Sequence, residues 1–180
     1  MNMASIIEIR EDDVDIFDPK TNKLKPKNSV YEIFNISAPV GPGMANHFGD
    51  VVVVQALLNV IYLDGTKQAT IEFWSGHDGS PPEYKGYQTP KVTGSFDKNT
   101  ATAIKLFQTD SATRLRETDG IVRPVSFSGR IIKIGRGRNE TIYDLNDAAR
   151  RYLSARFGLK AKLTTVIPEL FPQVTAALFV

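Results

Sequence analysis

Val92-Thr-Gly94-Ser-Phe96-Asp97-Lys-Asn-Thr100-Ala-Thr-Ala103-Ile104-Lys-Leu106-Phe107-Gln108 is the stretch that decides the fold. Gly94 suits a turn geometry that a β-carbon would resist. Phe96, two positions on, can plug a core beneath that turn. Asp97 is a strong N-cap, and Ala101, Ile104, Leu106 and Phe107 supply an apolar side. The segment therefore predicts a turn running into a helix that ends at about Gln108.

The same pattern returns 26 residues later in Gly120-Ile-Val-Arg-Pro-Val-Ser126. Glycine is again followed by an apolar residue two positions on, and Pro124 stands where its missing N–H costs nothing at a helix start. Upstream, Asp50-Val-Val-Val-Val-Gln-Ala-Leu-Leu-Asn-Val-Ile61 carries four valines that favour a strand. Val51, Val54, Leu58 and Ile61 nevertheless fall at helical spacing, and the run exceeds a typical buried strand. A helix capped by Asp50 is the expectation.

Taken in order, Val54-Gln55-Ala-Leu57-Leu58-Asn59, the turn at Gly94, Thr100 to Gln108, and Asp119-Gly120-Ile-Val122 with Pro124 resemble the peptidoglycan-binding domain family. That family pairs an early Val-x-x-Leu-Gln-type helix with an Asp-Gly-x-Phe-Gly turn leading into Thr-x-x-Ala-Val-x-x-Phe-Gln. A closing Asp-Gly-x-Val-Gly-Pro follows. The likeness covers about residues 50–127. It departs at Thr93 (usually Asp), at Asp97 and Arg123 (usually Gly), and in the long connection after the first helix. The resemblance implies a three-helix fold and wall binding; most matching positions are core-forming and bear on the fold first.

The remaining chain is read as additions to that core. Residues 1–43 are expected to be a β-rich arm and linker. Ile7, Ile9, Val14 and Ile16 alternate with polar residues, Asp18–Lys23 is turn chemistry, and Val30–Ile36 is β-prone. Ala38-Pro-Val-Gly-Pro-Gly43 reads as the linker. Residues 44–130 form the helical domain, with an insertion at 64–91 holding a strand at 69–74. Residues 131–180 are expected as a hairpin (131–134 with 141–143), a helix capped by Asp144 and Asp147 through Phe157, and an extended apolar tail with a short helical turn. The fold class is α+β.

Composition narrows the chemistry. At 180 residues, 42% hydrophobic and 23% charged, the chain supports a real core and is not a disordered polymer. Without cysteine, disulfides, Cys-ligated zinc, iron–sulfur clusters and thiol catalysis are excluded. His47 and His77 are the two histidines and stand in no metal-ligand spacing. No cofactor is implied. The opening Met1–Asp13 has no basic, apolar leader, and Val51–Leu63 is too short and polar to span a bilayer. The expectation is synthesis in the cytoplasm without a signal peptide, no membrane span, and action at the envelope after lysis or machine-mediated export, or within a phage or secretion particle.

Charge is uneven: residues 1–97 carry net −5 and residues 98–162 net +8. Arg130, Lys133, Arg136 and Arg138 form a basic hairpin. No helix-turn-helix, RNP-like or zinc signature accompanies it, so nucleic acid is not an expected partner. Tyr62, Trp74, Tyr84 and Tyr87 lie in or beside the insertion, where polar-edged rings suit sugar faces. They equally suit covering the core under a long loop. Arg114, Arg116 and Arg123 flank the second turn and suit peptide carboxylates or phosphate-bearing polymers. A solvated rim is the other reading. These seven are the candidate ligand-binding residues; no catalytic constellation joins them.

Two functions remain open at this level. One is a non-catalytic peptidoglycan-binding protein that holds a glycan or stem peptide. The other is a structural component of a phage tail or contractile secretion system, docking a protein partner through its N-terminal arm or the apolar Ala176-Ala-Leu-Phe-Val180.

Overall fold

The computed structural model describes residues 4–12, 16–18, 23–25, 28–62, 89–110, 118–125, 141–157 and 162–179. The described chain is α+β, with five helices and small antiparallel strand pairs. β1 (Ser5–Asp12) pairs with β4 (Asn28–Asn35), from Ser5 against Asn35 to Asp12 against Asn28. Nested between them in sequence, β2 (Ile16–Asp18) pairs with β3 (Lys23–Lys25). The helices are α1 (Phe48–Tyr62), α2 (Lys98–Asp110), α3 (Thr141–Phe157), α4 (Leu163–Leu170) and α5 (Pro172–Phe179).

α1 is the hub and packs against all four other helices. Every residue from Asp50 to Tyr62 except Asn59 is buried. A helix surrounded on all sides is apolar all round, so β-branched valines are tolerated there despite their strand preference. At Gly49 a β-carbon would stand 3.1 Å from the Ala177 carbonyl oxygen, so this position lets α5 come close. Asp50 is not the helix cap that its sequence position suggests. It lies inside the first turn, fully buried, and its carboxylate accepts hydrogen bonds from Ser37 N–H (2.8 Å), Ser37 Oγ (2.7 Å) and Ala38 N–H (3.0 Å). It thereby ties the end of the β-arm to the hub helix.

Other expectations need correction. Thr141–Tyr143, read as a strand, forms the first turn of α3. Ile142, Leu145, Ala149 and Leu153 are buried at helical spacing, so packing overrides the β preference of Thr-Ile-Tyr. Asp147, expected to help cap that helix, instead holds Arg150 (2.6 Å) and Arg151 (2.7 Å) within it. The C-terminal tail is not extended: it is α4 and α5, with Pro172 at the first position of α5, where a missing N–H is harmless. Pro168 sits inside α4, a helix of 8 residues, and Leu163, Ile167, Val174 and Ala177 bury the inner face of the pair.

Residues 38–43, read as a linker, are anchored in the interior at Val40 and Gly41, with Pro42 and Gly43 exposed. Val40 is fully buried and exchanges two backbone hydrogen bonds with Val122, at 3.0 and 2.8 Å. Beside it, a β-carbon on Gly41 would stand 2.8 Å from the Gly120 carbonyl oxygen, so only glycine allows this approach. The insertion (64–88 of 64–91), the strand at 69–74, the basic turn at 130–138 and the segment 131–134 lie outside the described residues.

Candidate functional site

The two glycine turns form one device built twice. Gly94 has φ +75° and Gly120 φ +78°, the left-handed region that side chains avoid. Each turn is held from below by a fully buried glutamine on the preceding helix. From α1, Gln55 Oε1 accepts the N–H groups of Thr93 and Gly94, both at 2.9 Å. Its Nε2 donates to the Ser95 carbonyl (2.9 Å) and Thr100 Oγ1 (3.0 Å). From α2, Gln108 Oε1 accepts Gly120 N–H at 2.7 Å, and Nε2 donates to the Ile121 carbonyl at 3.1 Å. The same Nε2 reaches Thr141 Oγ1 and Asp119 Oδ1, each at 3.4 Å.

In both cases one amide satisfies a tight turn and a threonine of the next helix, Thr100 in α2 and Thr141 in α3. An amide suits the task because it accepts and donates at one end. Asp97 caps α2 through Thr100 N–H (2.7 Å) and also takes the Thr100 hydroxyl (2.7 Å). Turn 93–96 and turn 119–122 are thus each held by buried side-chain hydrogen bonds.

The outer surface of these turns is the candidate site. Phe48, the first residue of α1, is 59% exposed, yet its ring lies on Gly94 so closely that an added β-carbon would collide with it. Met44 is also exposed, as are Thr93, Ser95 and Asp97 around the turn. An aromatic ring bordered by hydroxyls and a carboxylate is amphipathic in the way a sugar face is. At the second turn, Arg123 Nη2 pairs with Asp119 Oδ2 at 2.6 Å, while Asp119 Oδ1 accepts Ile121 N–H at 2.9 Å.

Burial acts against the ionised form of Asp119, but hydrogen bonds from Arg123, Ile121 N–H and Gln108, with the Arg123 charge, outweigh it and hold the carboxyl below its ordinary 3.8. A lowered value in the folded state contributes stability above pH 3.8 that is lost as pH falls through the folded value. An acid titration of unfolding should therefore show a shallower loss below about pH 4 for Asp119→Asn than for the parent. Equal slopes would contradict the assignment. The effect is small because the pair is partly solvated.

Of the seven sequence candidates, two fall in the described residues. Tyr62 ends α1 and is only 3% exposed, so it covers the core rather than facing a ligand. Arg123 is half-exposed beside the second turn, where it pairs with Asp119. Trp74, Tyr84, Tyr87, Arg114 and Arg116 lie outside the described residues, so their grouping is not described. Phe48 was missed because a phenylalanine at a helix start reads as core; no sequence signal marks it as exposed. Gln55 and Gln108 were visible as part of the motif but not as turn clamps.

Among the described residues no helix is long and apolar enough to cross a membrane. Compared with known proteins, the chain matches no family model, no curated protein and no solved structure.

Proposed function

We propose that this chain is a non-catalytic peptidoglycan-binding protein, built on a wall-binding core to which α1 and α2 contribute, with α3, expected as an addition beyond that core, packed on α1. The observation that carries the reading is the duplicated glutamine-clamped glycine turn. It falls on the residues that resemble the peptidoglycan-binding domain family, and it presents a rigid, partly aromatic surface. Phe48 would stack on a pyranose face, and the hydroxyls of Thr93 and Ser95 would meet sugar hydroxyls. Arg123, with Arg114 and Arg116 nearby in sequence, would read stem-peptide carboxylates.

Pull-down on purified sacculi across a salt series tests this. Retention should persist at about 0.15 M salt, where exposed charge attraction is already screened beyond about 8 Å. Phe48→Ala should reduce it roughly fivefold or more, consistent with losing an aromatic contact of about 1 kcal/mol. No retention of the parent chain at low salt would overturn the reading, and retention abolished by salt alone would reduce it to nonspecific charge. The second reading, a protein-docking component of a phage tail or contractile secretion system, is favoured by one observation: β1 has no strand on its outer side among the described residues.

A further inference from the structure

The two edges of the β1–β4 pair are treated differently. On the β4 side, Asn146 of α3 behaves like a neighbouring strand: its Oδ1 accepts Phe34 N–H at 2.9 Å and its Nδ2 donates to the Phe34 carbonyl at 2.8 Å. Because both backbone groups of Phe34 point to Asn146, Phe34 and the opposite residue Ile6 form a non-hydrogen-bonded pair. Two positions along, Glu8 and Glu32 form another. Ile6 and Glu8 therefore turn their N–H and C=O groups away from β4, onto an edge that no strand covers among the described residues. That edge is open to solvent at Ser5, Ile6 and Glu8, with Ile6 43% exposed.

The side chains on this face break a pairing rule. Glu8 and Glu32 are directly opposite each other and both exposed, in the pair type that brings side chains closest. Like charges so placed destabilise a sheet. Thr164 Oγ1 donates to Glu32 Oε2 at 2.6 Å, but among the described residues no lysine or arginine forms an ion pair with either carboxylate. A local rule broken on an accessible edge marks a place where something else completes the arrangement.

We propose that the free edge of β1 accepts an extended segment of a partner protein as a further strand. A lysine or arginine of that segment sits against Glu8 and Glu32, and an apolar residue sits against Ile6. Backbone hydrogen bonds to Ile6 and Glu8 provide the attachment, and the alternate side chains provide the selectivity. A second copy of this chain is a poor occupant, because it brings its own Glu8 and Glu32 to the same edge. The alternation required is apolar then basic, two residues apart, on one face of the incoming strand.

The full chain, labelled with ¹⁵N, is titrated with a capped peptide of repeating Thr-Lys-Thr-Val and with the same peptide carrying glutamate for lysine. The lysine peptide is expected to shift the amide signals of Ile6 and Glu8 and to bind roughly fivefold or more tightly than the glutamate peptide. Glu8→Lys removes the like-charge pair, so folding is not at risk, and it should narrow or reverse that preference. Ile6→Pro deletes an N–H that the β1–β4 ladder does not use and should abolish binding while the fold persists. Absence of shifts at millimolar peptide, equal binding of both peptides, or shifts centred away from β1 would overturn the proposal. The inference stands apart from wall recognition: a chain retained on sacculi that ignores both peptides sinks this one alone.

Discussion

Replacing Gln55 by alanine is expected to cost about 3–5 kcal/mol of folding stability, a large share of what a domain this size possesses. The fully buried side chain makes four hydrogen bonds: two accepted from Thr93 and Gly94 N–H, two donated to the Ser95 carbonyl and Thr100 hydroxyl. Truncation leaves Gly94 N–H and the Ser95 carbonyl without their partner, while Thr93 N–H keeps the Lys91 carbonyl at 3.0 Å, and each such loss costs about 1–3 kcal/mol when no water replaces it. The turn also loses the reason to hold Gly94 at φ +75°. Gln55→Glu is the informative contrast. It keeps nearly the same volume but can no longer donate to Ser95 and Thr100, and it buries a charge, so it should be at least as damaging. Urea unfolding at neutral pH reads both. A loss below about 1 kcal/mol for either variant would mean that the clamp is dispensable.

The second large effect is expected at Asn146. This buried residue joins α3 to the β-arm across 112 positions of sequence, accepting from Phe34 N–H and donating to the Phe34 and Ile142 carbonyls. Asn146→Ala should destabilise by about 2–4 kcal/mol, since the Phe34 peptide is left buried and unpaired. Asn146→Asp should be worse despite its matched shape, because an acceptor-only carboxylate would then face two carbonyl oxygens. Amide hydrogen exchange gives a second readout: protection of Phe34 should fall further than that of residues in α2. Uniform loss across the chain would show that the arm and helices unfold as one unit. Unchanged exchange at Phe34 would remove Asn146 from its role.

Much of the helical frame was legible because its signals are local. The turn at Gly94, the cap at Asp97 and the apolar spacing of Ile104 and Phe107 all act within a few residues. The Asp50–Ile61 run was ambiguous by propensity, and spacing decided it correctly because a helix packed on every side tolerates valine. Thr141–Tyr143 misled for the opposite reason: three β-favouring residues join a helix once Ile142 and Leu145 find α1 to pack on. The tail misled because two prolines suggested extension, whereas Pro172 begins a helix and Pro168 is carried by a short one.

The candidate site was less legible. Gln55 and Gln108 could be quoted as motif positions, but which backbone groups they meet depends on contacts 39 and 12 residues away. Tyr62, a candidate from sequence, is buried, and Phe48, which sequence did not single out, is exposed. Side-chain polarity alone points the wrong way here, since only the tyrosine carries a hydroxyl and yet it is the phenylalanine that is exposed.

From its residue order alone this chain determined its local conformations: where glycine must reverse the backbone, where a carboxylate can start a helix, and which segments carry helical or alternating apolar spacing. Those depend on sterics and hydrogen bonds within one or two turns. Tertiary structure decided what those pieces do for one another. It buried Asp50 under the Ser37–Ala38 backbone, set Val40 against Val122, capped one edge of the arm with Asn146, and left Phe48, Glu8 and Glu32 facing water. The physical reason is that burial and pairing are properties of groups brought together from distant parts of the chain, and no window of sequence contains both partners.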